Sequence, residues 1–548
     1  MKKINILCAL LLLAALLCGC GKSSDSVTVS RQLGDTELAD TAEEPAEQDA
    51  DDDADADEVE GQSVGQELEA TYAADNIFSL NSVSSSSYNP YLTDSAWNRV
   101  VDMLVYETLV TIDDDFEAQP GLITGWQTED GVTWTFTVDT TRRFHDGGTM
   151  SASDAVYSLQ QAMAYGARYY TRFRNVTGVS EIDSGSFIVT LKHANYRFVQ
   201  LLNIPVIEYG SGSSDLPPGT GPYMFSASGR YLTLDTNHPL AEEMPLRTIY
   251  LKEYQAAEDI LQAFEDSYLD LVINDPTGVS SLGYSSTNII KYYNKTNIHY
   301  LGYNTQNSLF SQPQIRNIIT YGIDRASVVS DCMDGAATAA TLPIHPGSPL
   351  YPQDVADTLQ YSESGMYTAL QNVGAEDLDG DGTLEFSGQR YTLDMIVCSD
   401  SAAKVSAARA IANDLRGFGL DINLRELSYS DYLTALDDGD FDIYYAEVQL
   451  CTDWDMSLIL ATDGDLNYGG AGDSTLDGYL EAFLASPEEE QAAAAETLCT
   501  YIGQNAPITV ICFEKSEVLY HRGVLSGLDP TQDNIFNGLE NWTINIGQ

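Results

Sequence analysis

GWQTEDGVTWTFTVDTTRRFHDGGTMSASDAVYS, residues 125–158, decides how the rest of the chain is read. Its first half alternates: Val132, Trp134, Phe136 and Val138 fall on one face, Thr133, Thr135, Thr137 and Asp139 on the other. A period of two, rich in β-branched and aromatic side chains, predicts a half-buried strand. Glu129-Asp130-Gly131 ahead of it is a turn signal, so a hairpin is expected there. Phe144-His145-Asp146-Gly147-Gly148 breaks the strand, and Ser151 with Asp154 three residues later has the pattern of a capping box. Ala155, Val156, Leu159, Ala162 and Met163 then follow at helical spacing.

Upstream, Phe78-Ser79-Leu80 reads as a strand and Asn89-Pro90-Tyr91 as a turn, while Val101, Leu104, Val105, Thr108 and Leu109 predict a helix over 98–110. Downstream, 187–192 is another alternating strand. Gly219-Thr220-Gly221-Pro222-Tyr223 predicts a tight turn before a strand. A phosphate cradle is not expected there, because no Lys or Ser/Thr pair follows and no helix starts. A short buried strand is expected over 300–304, then a helix opened by Ser311 and Pro313, with Ile315, Ile318, Ile319, Gly322 and Ile323 as its apolar stripe. Strands over 391–398, 422–427 and 441–445 alternate with helices over 401–417 and 431–436, a spacing that predicts parallel βαβ units with right-handed crossovers. A last apolar strand, 508–513, follows Pro507 and is expected to rejoin the part built by the amino terminus.

Trp126, Asp130-Gly131, Thr133-Trp134-Thr135-Phe136, Phe144-His145-Asp146-Gly147 and Asp154-Ala155-Val156-Tyr157-Ser158 together resemble the signature of the family 5 extracellular solute-binding proteins. These are the peptide-, nickel- and oligosaccharide-binding subunits of ABC importers. The Asn89-Pro90 turn, the Gly219–Tyr223 turn, Arg316 with Ile323-Asp324-Arg325, and Pro507 continue the resemblance over nearly all of 66–548. It implies an α/β fold of the periplasmic-binding-protein type II, two lobes with a hinge plus an extra domain. Lobe I is expected to take 66–111, 201–303 and 504–548, the extra domain 112–200, and lobe II 304–503. The opening stretch is then scaffold, and Arg316, Asp324 and Arg325 are salt-bridge partners in the frame.

With 548 residues, two or three domains plus tails are expected. The chain carries 26 Lys+Arg against 82 Asp+Glu, a balance that repels phosphate backbones and anionic lipid heads and so argues against a nucleic-acid partner. Lys2 and Lys3 precede an apolar run over 4–17 that is short for a membrane span and has the layout of a signal peptide, residues 1–19. Leu17-Cys18-Gly19-Cys20 resembles a bacterial lipobox, with Cys18 as a departure, so Cys20 is the expected lipidated first residue and membrane anchor. Residues 20–65, rich in Ser, Asp, Glu and Ala, read as an acidic tether that cannot bury enough apolar surface to order itself. As a coil it would span on the order of 35–40 Å. The remaining cysteines, Cys332, Cys398, Cys451, Cys499 and Cys512, are odd in number and show no C-x-x-C, so they read as small buried hydrophobes.

No nucleophile elbow, zinc helix or Walker loop is present, and His145, His193, His238, His299, His345 and His521 are scattered, so no catalytic residues are expected. Asp377, Asp379 and Asp381 have the spacing of the front of a calcium loop. Its twelfth position is Gly388 and its flanks are not helical, so an acidic connection between strands over 377–385 is favoured, with bound Ca²⁺ as the alternative.

The ligand site is expected at the carboxyl end of the 441–445 strand, where such lobes gather their ligands. Cys451-Thr452-Asp453-Trp454 resembles the segment of peptide-binding members in which an aspartate meets the ligand's ammonium. The resemblance assigns Asp453 to that charge-assisted bond and Trp454 to a flat wall. The alternative is that Asp453 and Asp455 are solvated loop acids. The arginines that precede this aspartate in those members are missing: Asp438, Asp440, Asp442 and Glu447 stand there, so capture of a ligand carboxylate is not carried over. The expected function is thus that of an extracytoplasmic, monomeric solute-binding lipoprotein delivering oligopeptides to an ABC permease. A nickel complex, an oligosaccharide, or a surface enzyme or signalling role are the alternatives.

Overall fold

The computed structural model describes residues 77–164, 168–278, 281–282, 288–307 and 309–546. The signal peptide, Cys20, the 20–65 tether and the start of the folded part at Gln66 lie outside the described residues.

Strand β1 (Ser79–Asn81) leads into helix α1 (Ala96–Val105). Ser95 caps α1 by accepting from the Asn98 amide at 3.2 Å, and Val100, Val101, Leu104 and Val105 bury its apolar face. The helix is shorter than the pattern over 98–110 predicts. It stops at Tyr106, whose backbone is extended, and Leu109 then donates to the Ile204 carbonyl at 3.1 Å. Apolar spacing cannot distinguish a last helical turn from a short buried strand.

The hairpin and the strand expected over 123–138 form as β2 (Ile123–Gln127) and β3 (Thr133–Val138), paired antiparallel. Gly131 turns between them at φ +66°, and a Cβ there would lie 2.7 Å from the Tyr196 ring, so the corner needs glycine twice over. Trp134, Phe136 and Val138 are buried, and Phe136 stacks on Phe187 at 5.0 Å between centroids. Each such ring contributes about 1.5–3 kcal/mol by burial. Helix α2 (Ala152–Ala162) starts at the capping box: the Ser151 amide donates to Asp154 Oδ2 at 2.9 Å. With β4 (Val176–Asp183) and β5 (Ser186–Leu191) these strands make a four-stranded sheet in the order β2-β3-β5-β4.

The chain then returns to β1 through β6 (Tyr223–Phe225), β7 (Tyr231–Leu234) and β8 (Thr248–Lys252), giving the sheet β1-β8-β7-β6. The turn before β6 has a tertiary reason: a Cβ on Gly219 would lie 2.1 Å from the Val105 carbonyl at the end of α1.

A seven-stranded sheet holds the rest together. Its strands are β9 (Leu271–Asn274), β10 (Asn288–Tyr303), β11 (Ala337–Ala339), β12 (Thr392–Cys398), β13 (Asp421–Leu427), β14 (Ile443–Gln449) and β15 (Ile508–His521). The order is β9-β15-β10-β14-β12-β13, with β11 also on β15. Helix α3 (Pro313–Tyr321) follows β10, and α4 (Ala402–Gly417), capped by Ser401, joins β12 to β13 as the expected parallel βαβ unit.

The strands expected over 300–304 and 508–513 are far longer, 16 and 14 residues. Both are buried on both faces where they cross, so alternation is lost there, and their polar residues pair with one another instead of facing water. Arg316 and Arg325 are structural, but not as ion pairs. Arg316 donates to the Ala506, Phe310 and Asn505 carbonyls and Arg325 to those of Val510, Thr320 and Ile323. Asp324 caps the turn at Ser327. No disulfide forms among the described cysteines; Cys499 and Cys512 are buried and the other three half-buried.

Candidate functional site

A cavity of about 830 Å³ opens where α1, the segment 168–172, β10, the end of β14 and the segment 532–540 meet. Gln449, Leu450 and Cys451 line it, so the carboxyl end of the strand singled out by the βαβ spacing does reach this space. Thr452, Asp453 and Trp454 do not line it. They turn under the wall and fasten it to the segment that follows β5.

Thr452 Oγ1 donates to the Gln200 carbonyl at 2.7 Å, and Asn195 Nδ2 donates to Asp453 Oδ2 at 2.9 Å. Burial, with Asp455 beside it, pushes the Asp453 carboxyl up to about 6, and the Asn195 bond offsets part of that rise. Arg197, itself buried, donates to the Thr452 carbonyl at 3.3 Å and to Glu117 at 3.1 Å. Trp454 sits at φ +59° with no exposed surface, its ring edge-on to Phe116 at 5.2 Å and Phe513 at 6.0 Å. It presents no face to a ligand in this conformation. Burial and Asp453 push the Cys451 thiol up to about 12, away from the thiolate form.

The residues that give the cavity its character come from elsewhere. Arg168 and Arg172 stack over Tyr169 at 5.4 and 5.1 Å from its centroid, supplying cations the 438–447 segment lacks. Acids face them. Asp533 accepts from Asn203 Nδ2 at 2.6 Å and the Ile112 amide at 3.1 Å, and burial pushes it up to about 6. Asp102 lines the space from α1. A signal for Asp102 existed in the sequence: a carboxylate between Val101 and Leu104 on the apolar stripe of a helix.

At the back of the cavity the long strands β10 and β15 pair antiparallel. Lys295 reaches Glu514 at 3.0 Å and Asp275 at 3.3 Å; His299 bridges Glu514 Oε1 at 2.8 Å and the Tyr445 hydroxyl at 2.7 Å. Burial would raise Glu514, yet Lys295 and His299 hold it well below the usual range. Lys404 of α4 pairs with Glu447 of β14, and Ser401 donates to the buried Thr277 carbonyl at 2.7 Å. His299, Glu447 and Glu514 offer ligand atoms within 4.8 Å of one another, but a lysine already sits on each carboxylate. With Lys295 and Lys404 the trio forms a charge network joining β10, β14 and β15.

Asp377, Asp379 and Asp381 cluster on the exposed hairpin connection between 375–376 and 385–386. Asp377 accepts from the Gly380 and Gly382 amides, Asp379 from the Asp381 amide, and Asp381 from the Thr383 amide and Arg390, so all three are committed to the loop and its flank.

Residues 117–467 match the model of the bacterial extracellular solute-binding proteins, family 5. The chain belongs to this family. It is 22% identical over 459 residues to the oligopeptide-binding protein AppA of Bacillus subtilis, covering 78% of this chain and 84% of that one. It is also 22% identical over 401 residues to the nickel-binding periplasmic protein of Escherichia coli, covering 68% and 75%. The structure of B. subtilis AppA in complex with a nonapeptide superposes with a TM-score of 0.59 at 19% identity, covering 85% of this chain and 98% of that one.

This family 5 protein therefore has the periplasmic-binding-protein type II fold, two α/β lobes with a hinge plus an extra domain. It is an extracellular solute-binding protein of the ABC-importer class. Among the described residues no helix is long and apolar enough to cross a membrane.

Proposed function

We propose that this family 5 protein binds oligopeptides outside the cell and hands them to an ABC permease, working as a monomer held to the membrane by lipidated Cys20. The carrying observation is the cavity itself. Its volume lies within the roughly 300–1,000 Å³ of sites that enclose a small ligand, and its walls bear both signs of charge beside tyrosines. Arg168 and Arg172 suit a carboxylate, the acids suit an ammonium, and Tyr91 and Tyr169 suit what lies between. That is the chemistry of a short zwitterionic chain, and similarity to an oligopeptide-binding protein supports it. Nothing in the cavity calls for turnover: its one cysteine is half-buried with a raised pKa, and the role proposed is binding alone.

Native mass spectrometry of the purified protein tests the reading. Released adducts that fragment as peptides are expected. An adduct with the isotope pattern of a nickel chelate, or with the mass of a sugar, would refute the peptide assignment.

A further inference from the structure

Of four acids in or behind the walls of the cavity, three are answered by the fold. Asp453 has Asn195, Asp533 has Asn203 and the Ile112 amide, and Asp275 has Lys295. Asp102 is the exception. It lines the cavity at 5% exposure, and neither of its carboxylate oxygens has a hydrogen-bond partner among the described residues. Arg99 on its own helix and Arg168 from the facing segment act on it electrostatically without hydrogen-bonding to it. Tyr106 lies near, but its hydroxyl donates to the Tyr88 and Pro217 carbonyls. A buried carboxylate without a partner disfavours the folded state, and Leu at this helix position would not.

We propose that Asp102 is the counter-ion for a cationic group of the solute, an ammonium or guanidinium that completes its missing hydrogen bonds when the cavity is filled. This rests on the solute-binding role above and refines it: the ligand carries a positive group, and α1, not the 451–455 segment, receives it. Tyr91 and Tyr169, an edge-on pair at 6.0 Å, line the same cavity and offer walls for the stem of that group.

The test uses the full chain and two tripeptide libraries free of Lys, Arg and His, one with free and one with acetylated amino termini. Wild-type protein is expected to retain members of the free library in native mass spectra. Acetylation and Asp102→Asn should each lower occupancy roughly tenfold or more. Empty Asp102→Asn should melt at or above the temperature of empty wild type, since a buried acid without partners has gone. Equal retention of the acetylated library by wild type, an arm that needs no variant, overturns the assignment, as does unchanged binding in Asp102→Asn. If wild type retains neither library, the peptide reading falls, and spermidine then decides Asp102 alone. Spermidine binding that Asp102→Asn abolishes keeps the counter-ion. No spermidine binding, or binding indifferent to the substitution, removes it.

Discussion

The ammonium of Lys295 lies 3.0 Å from Glu514 Oε2, both buried, where the ladder between β10 and β15 is interrupted. Asn294 pairs with Lys515 and Ile298 with Phe513, so Lys295, Thr296 and Asn297 together oppose Glu514 alone. The extra residues bulge and bring Lys295 onto the carboxylate. Removing the cation while leaving Glu514 buried should be severe: Lys295→Met is expected to cost about 3–5 kcal/mol. The Lys295→Met/Glu514→Leu pair should cost less than the sum of the two single changes. Thermal unfolding of the three variants checks this, and additive losses would contradict it.

The acids at the cavity predict opposite responses to pH. Asp533 has a folded pKa of about 6, above the unfolded value near 3.9. Its contribution to stability is fully present below about pH 4 and is lost as pH rises through about 6. Relative to wild type, Asp533→Asn should therefore gain melting temperature between pH 4 and pH 7. Glu514, held low, works the other way: its stabilisation is present above the unfolded value near 4.3 and disappears as acid approaches its folded pKa. A pH-independent difference between wild type and Asp533→Asn would contradict the assignment of that carboxyl.

Asn195→Ala takes from Asp453 the donor that meets its carboxylate at 2.9 Å. A loss of about 1–3 kcal/mol is expected, with Asp453→Asn partly restoring stability in the double variant. Denaturant titration of the set reads the coupling; independence of the two sites would mean that the bond fastens nothing.

Gly219→Ala sets a Cβ 2.1 Å from the Val105 carbonyl, a backbone atom that cannot rotate away. It should cost about 1–3 kcal/mol or more by displacing the end of α1. Gly125→Ala, where nothing lies within 4 Å, should be close to neutral. Comparable melting temperatures for the two variants would contradict the close approach.

Much of the frame was legible because its signals are local. The 125–158 stretch carries its own turn glycine, its own alternation and its own capping box, and each appears where its spacing places it. The βαβ unit of β12, α4 and β13 is equally self-contained. The long strands were cut short in reading because periodicity fails where both faces are buried, and Lys295, His299 and Glu514 look like strand-ending polar residues until they are seen to pair. The cavity was the least legible part. Asp102, Arg172, Lys295 and Asp533 are far apart in the chain, and each is ordinary alone. Cys451-Thr452-Asp453-Trp454 lies at the strand end that reaches the cavity but, past Cys451, turns under its wall.

The seven-stranded sheet also determines how this molecule can be cut. Strands β10 and β15 bond to strands from distant stretches of the chain, so cutting the chain between those stretches would bare unpaired edges to any chain nearby. The small sheet of β2 to β5 is different, since one continuous excursion of the chain builds it entirely. Exchange between relatives is therefore open to that module and closed to pieces of the seven-stranded sheet.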